Sequence, residues 1–272
     1  MVKRCVFFIS DGTGITAETL GHSLLTQFNR DQFSYKTFPY IDTVEKAQQT
    51  VKQIKQYAYQ AEQRPLIFST IVNEAVTQEL SSLDAFTIDC FSAFLTPLEQ
   101  ELQQPSNHSI GQNRVIAADP RYHQRITAVH FALDFDDGAK TYAYDQADVI
   151  LIGVSRCGKT PTCLYLALQY GINAANYPLT EEDLDNQRLP GILLSHKDRV
   201  FGLTIDAERL AAIRHERRPE SRYASIKQCR QEVNEVEALM QEAHVPFINT
   251  TRFSIEEIAT RVLSMTGIQR QF

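Results

Sequence analysis

The chain has 272 residues, 43% hydrophobic and 10% aromatic, an ordinary globular usage that excludes disorder, collagen and coiled-coil rods. Lys and Arg number 27 against 33 Asp and Glu, and the net charge of −6 excludes a global nucleic-acid-binding field. No apolar run approaches the ~20 residues that cross a bilayer, so no membrane partner is expected. The opening MVKRCVFFIS reaches Asp11 too soon for a signal peptide, and five scattered cysteines without a CxxC predict reduced thiols in the cytoplasm.

The first half alternates strand and helix signals. A β-branched and aromatic run over 4–10 ends on the turn Asp11-Gly12-Thr13-Gly14, and 16–29 carries Leu20, Leu24, Leu25 and Phe28 at helical spacing. Residues 33–41 read as a strand, and 43–61 as a helix with Val44, Ala47, Val51, Ile54 and Ala58 along one face. The alternation repeats as strand 66–71, helix 73–83, strand 86–91 and helix 92–103. Successive βα units of this kind predict a parallel sheet with helices on both faces. Residues 104–125 hold Pro105, Gly111 and Pro120 without apolar periodicity and read as an interdomain connection. The helix that follows carries Ile126, Val129 and Leu133 and ends near Asp136-Asp137-Gly138.

The second half opens on 147–152, an apolar strand of the buried type, followed by a helix over 162–170 and a strand over 174–178. Residues 180–188 form an acidic loop or short helix, and 199–205 a further strand. Helices are predicted over 207–218 and 224–243, then a strand over 245–249 and a last helix over 254–267. The reading is α/β throughout. An N-terminal parallel βα domain covers 1–104, a connecting segment and helix 105–140, and a C-terminal P-loop kinase-like α/β domain 141–272.

Gly153-Val154-Ser155-Arg156-Cys157-Gly158-Lys159-Thr160 fits GxxxxGK[ST] at every fixed position, a match that arises by chance in a chain of this length roughly once in a hundred. It leaves a buried strand and opens a helix, as a phosphate loop must. Glycines let backbone N–H groups turn inward around a phosphate, and the helix start adds about half a positive charge. Lys159 would reach the terminal phosphate and Thr160 could hold magnesium. Pro161 falls in the first helical turn, where a missing N–H costs nothing.

Other candidates have two readings each. Asp206 either supplies a second carboxylate on the magnesium side or caps the helix that starts at Ala207, and the cap is favoured. Asp136 and Asp137 form either a solvated turn or a carboxylate that accepts a hydroxyl proton or holds magnesium. The Asp11–Gly14 junction either cradles an anion or is a capped βα turn. Arg209, Arg214, Arg217, Arg218, Arg222, Lys227 and Arg230 make a local basic stretch. It is a solvated helix face, a docking surface for an acidic protein, or a second phosphate site. The histidines show no metal-ligand spacing.

The run from Ile152 through Thr162, with Leu164-Tyr165-Leu166-Ala167 behind it, resembles the bacterial phosphoenolpyruvate synthase regulatory proteins. So do Ile9-Ser10-Asp11-Gly12-Thr13, Phe201-Gly202-Leu203-Thr204-Ile205-Asp206, Ser221-Arg222-Tyr223-Ala224-Ser225 and Glu256-Glu257-Ile258-Ala259. The family includes the pyruvate, phosphate dikinase regulatory proteins, and the likeness covers nearly the whole chain. Phe135 stands where similar sequences usually carry a His before the paired acids. The resemblance implies a bifunctional enzyme of pyruvate metabolism. As a serine/threonine-protein kinase it would use ADP to phosphorylate a threonine of phosphoenolpyruvate synthase and inactivate it. As a phosphorylase it would remove that phosphate with inorganic phosphate, releasing pyrophosphate. The loop from Gly153 to Thr160 would hold ADP, Lys159 and the Asp136–Asp137 pair would act in transfer, and Thr160 would bind magnesium. The same loop would also serve a small-molecule kinase or a non-catalytic nucleotide-binding regulator, and self-association is left open.

Overall fold

The structure, a computed structural model, describes residues 3–61, 63–107, 120–138 and 140–269. The chain divides into two compact units, Met1–Val115 and Ile116–Phe272.

The first unit follows the predicted alternation: β1 (Arg4–Ile9), α1 (Ile15–Leu25), β2 (Phe33–Phe38), α2 (Val44–Ala61), β3 (Leu66–Ser69), α3 (Glu74–Leu80), β4 (Phe86–Asp89) and α4 (Ser92–Leu102). The strands pair in parallel in the order β2-β1-β3-β4. Successive residues of a strand point to opposite faces, so the unbroken apolar run of β1 feeds two cores. Phe7 and Ile9 join Ile67, Val51 and Ile54 on one face. Val6 and Phe8 join Phe68, Ala17 and Leu25 on the other. On this second face α1 lies close against the sheet, because Gly21 carries no side chain: a Cβ there would stand 2.4 Å from Cε1 of Phe8.

The second unit contains α5 (Pro120–Asp134), β5 (Val149–Gly153), α6 (Lys159–Tyr170), β6 (Ala174–Pro178), α7 (Glu181–Asp185), α8 (Gly191–Leu194), β7 (Val200–Thr204), α9 (Ala207–Arg217), α10 (Ile226–Glu242), β8 (Phe247–Asn249) and α11 (Ile255–Thr266). Its strands are also parallel, in the order β6-β5-β7-β8. The α/β class read from the sequence is therefore what the chain adopts. Every residue of β5 and β7 is buried, as central strands covered on both faces must be. The chain leaves β5 toward β6 on one side and then crosses to β7 on the other. The carboxyl end of β5 is thus a topological switch point, where open α/β sheets leave a crevice.

One boundary differs from the sequence reading. Residues 120–125 belong to α5 and not to an irregular connection; Pro120 fits because the first helical turn has N–H groups to spare. The rest of that connection, 108–119, lies outside the described residues. Of the two readings of the acidic stretch 180–188 the structure adopts the short helix, α7, for which Thr180 and Asp183 form a reciprocal capping box.

Candidate functional site

The carboxyl end of β5 turns into α6 through residues 154–158, and backbone geometry sets that turn. Gly153 has φ 143°, and a Cβ there would lie 2.0 Å from the backbone oxygen of Leu203 on β7, so only glycine fits. Gly158 (φ 97°) is the N-cap of α6. Arg156, between them, is a non-glycine residue at φ 77°, a left-handed conformation that costs about 1–2 kcal/mol. Among the described residues the amides of Arg156 and Gly158 donate to no protein acceptor. Free amides of this kind, close together beside a helix start, favour a bound anion.

The side chains of the loop are held from several directions. Lys159 is 4% exposed and donates from Nζ to the carbonyls of Gly153 (3.0 Å) and Val154 (2.9 Å), so its charge lies inside the loop. Thr250, at the end of β8, donates to Thr204 O (2.9 Å) and lies 3.1 Å from Cys157 O. Burial raises the Cys157 thiol above its ordinary pKa, and burial with the nearby Asp136 charge raises that of Cys163. Neither sulfur is thereby a ready nucleophile.

Asp136 and Asp137 sit in a 3-10 turn after α5, and the structure separates them. Asp136 Oδ1 accepts from the Thr160 hydroxyl at 2.8 Å and from the Asn176 amide. Oδ2 receives no protein donor among the described residues. Asp137 is exposed, in left-handed backbone (φ 50°), and donates its N–H to Asn176 Oδ1 at 3.1 Å. Asn176, fully buried on β6, thus grips both residues of the turn with one amide. Sequence reasoning missed it; the available signal was one amide in an otherwise apolar strand, Ala174-Ala175-Asn176. Phe135 is buried against Phe131, with ring centroids 4.4 Å apart, and its carbonyl accepts from Asn176 N at 3.2 Å, so packing and a backbone bond together aim the turn.

Two expectations are corrected. Asp206 occupies the N-cap position of α9 but makes no capping hydrogen bond; its carboxylate accepts from Asn249 Nδ2 at 2.7 Å, which tethers the ends of β7 and β8. The competing donor, an amide on the neighbouring strand, outweighs the cap. Arg214 is not part of a basic surface. It is fully buried and pairs with Glu232 at 2.7 Å. Burial opposes its charge, but the hydrogen bond and charge of Glu232 prevail and raise its pKa. Arg230 is exposed and paired with Glu208 at 2.7 Å, whereas Arg209, Arg217, Arg218, Arg222 and Lys227 are exposed.

In the Asp11–Gly14 junction of the first unit Asp11 and Gly14 are buried, Gly12 is half-buried and Thr13 is exposed. Asp11 Oδ2 accepts from Val72 N at 3.1 Å and Ser10 Oγ from Gly12 N at 3.0 Å, so these oxygens serve the backbone. Among the described residues no cluster of His, Cys, Asp and Glu could hold a metal by itself. None of the helices among them is long and apolar enough to cross a membrane.

The profile of the Kinase/pyrophosphorylase family matches residues 6–263. A phosphoenolpyruvate synthase regulatory protein of Pseudomonas savastanoi pv. phaseolicola is 56% identical over 271 residues, covering 100% of both chains. Proteins of the same name from Ectopseudomonas mendocina and Marinobacter nauticus are 57% and 55% identical, each over 99% of both chains.

Proposed function

The chain belongs to the Kinase/pyrophosphorylase family, and on that footing we propose that it regulates phosphoenolpyruvate synthase by reversible phosphorylation of a threonine. The observation that carries this reading is the Asp136 carboxylate, bonded to the Thr160 hydroxyl at the mouth of a complete GxxxxGKT loop. In the kinase direction the loop holds ADP and the threonine oxygen attacks its β-phosphorus. The bond to the α-phosphate oxygen breaks, AMP leaves, and the threonine proton passes to Asp136 Oδ2. In the phosphorylase direction an oxygen of inorganic phosphate attacks the phosphothreonine. The Thr–O–P bond breaks, pyrophosphate forms, and the proton returns from Asp136 to the threonine oxygen. Lys159 and the free loop amides stabilise charge on the transferring group in both directions. The Thr160 hydroxyl is a hard oxygen donor that would hold magnesium, whose charge would offset that of the phosphates.

The test is incubation of the full chain with ADP labelled on its β-phosphate, with and without phosphoenolpyruvate synthase. Label should appear on a threonine of the synthase and leave as pyrophosphate when inorganic phosphate is added. Transfer to a small metabolite, or binding without transfer, would replace this reading by a metabolite kinase or a non-catalytic regulator.

A folded protein substrate must be docked from outside, and the exposed arginines on α9 and at its C-cap, Arg218, offer a surface for that. Charge complementarity acts mainly on encounter rate and salt dependence. Replacing Arg209, Arg217 and Arg218 together by Gln should raise the apparent KM for the synthase and flatten its salt dependence, leaving ADP affinity in place. An unchanged KM at low salt would remove the docking role.

A further inference from the structure

Arg214 is the largest fully buried side chain among the described residues, and a charge so placed needs a reason. It joins the 153–160 loop, through Ser155, to Tyr223, Cys229 and Glu232. Nη2 donates to Glu232 Oε2 (2.7 Å) and to the Ser155 carbonyl (3.3 Å), and Nη1 to the Tyr223 carbonyl (3.1 Å). The guanidinium also lies over the Tyr223 ring, 4.0 Å from its centroid, and the Tyr223 hydroxyl meets Ser155 Oγ at 3.1 Å. Residues far from the loop in sequence therefore hold both the backbone and the side chain of Ser155.

The carbonyl of Ser155 and the N–H of Arg156 belong to one planar trans peptide and point in opposite directions. Drawing the carbonyl toward Arg214 turns the Arg156 amide the other way, where no protein acceptor meets it among the described residues. It also sets the peptide that precedes a non-glycine residue in left-handed backbone, φ 77°. We infer that Arg214, braced by Glu232 and Tyr223, is a positioning residue that holds Arg156 in its left-handed conformation and so aims the Arg156 amide at a bound phosphate. The inference rests on reading the 153–160 loop as a phosphate cradle.

Glycine adopts positive φ without penalty, which supplies a specific test. In the full chain, Arg214→Lys keeps a charge beside Glu232 but cannot hold the two carbonyls with a fork. Its affinity for ADP, measured by titration calorimetry below its melting transition, should fall about tenfold or more. Tyr223→Phe, which keeps the ring under the guanidinium and loses only the hydroxyl, should weaken ADP by about threefold and covers the case in which Arg214→Lys does not fold. In an Arg156→Gly background both losses should shrink to less than about twofold, because glycine no longer needs to be held. Full-sized losses in that background, or ADP affinity within twofold of wild type for both single variants, would overturn the inference. Crystal structures of the variants separate this from failure of the kinase reading. If the wild-type chain binds no ADP, that reading falls, and Arg214 is judged by whether Arg156 leaves positive φ when Arg214 or Tyr223 is replaced. Retention of positive φ there would overturn the positioning role.

Discussion

Lys159→Ala is expected to lower phosphoryl transfer in both directions by at least about 10²–10³-fold, the usual cost of removing a preorganised charge from a transferring group. The reason is where the ammonium sits: it is 4% exposed and bonded only to two carbonyls of its own loop. No other lysine or arginine donates into those carbonyls among the described residues, so no neighbour substitutes for the lost charge. The fold should survive. Gly153 O still accepts from Leu179 N at 3.3 Å, and alanine suits the first turn of α6 at least as well as lysine. A thermal melt within a few degrees of wild type, together with lost transfer, is the expected pair of results. Lys159→Arg should not restore activity, because a planar fork does not fit where a linear chain is sealed inside the loop. Near-normal transfer by a folded Lys159→Ala protein would remove the loop from the mechanism.

The paired acids should separate by a similar margin. Asp136→Asn is expected to reduce kcat by about 10²–10⁴, the range for losing a general acid–base group. The neighbouring Asp137→Asn should stay within about threefold, since an exposed side chain beside the site has no transferring proton to handle. The two differ by one residue, yet the first carboxylate meets Thr160 and Asn176 while the second offers only its backbone N–H to Asn176. Asparagine tolerates the left-handed backbone of residue 137 as aspartate does, so strain does not complicate the comparison. Rates for ADP-dependent labelling of the synthase and for phosphate-dependent release should fall together for Asp136→Asn, because one carboxyl serves both directions. Equal losses at the two positions would return the pair to an undivided role.

The legible part of the site was the part carried by neighbours in sequence. Gly153, Gly158, Lys159 and Thr160 follow one another through a strand, a turn and a helix start, and the positive φ values are those that glycine spacing announces. Arg156 breaks that rule, adopting positive φ without being glycine, and nothing in the local pattern gives a reason. Asn176 stayed hidden because an amide in an apolar strand has no meaning until the turn at Asp136 is brought against it, 40 residues away in sequence. Asp206 looked like a cap because a carboxylate before a helix commonly is one, and Asn249 on the adjacent strand claimed it first.

Arg214 marks the same divide most clearly. Among neighbours such as Arg217 and Arg218 it reads as one more surface charge, since composition and helical spacing count charges without locating them. Its burial is decided by Glu232 on α10 and by Ser155, which lies 59 residues away along the chain. By itself the sequence determined the period of each element, the parallel βα alternation and the glycine-built turn after β5, because backbone sterics and side-chain alternation act over a few residues. Only the tertiary structure decided which charge is buried, which carboxylate faces Thr160 and which amide orients it. Burial and hydrogen bonding in the interior depend on groups that the chain brings together from far apart, and a buried polar group keeps its place only where such partners meet it.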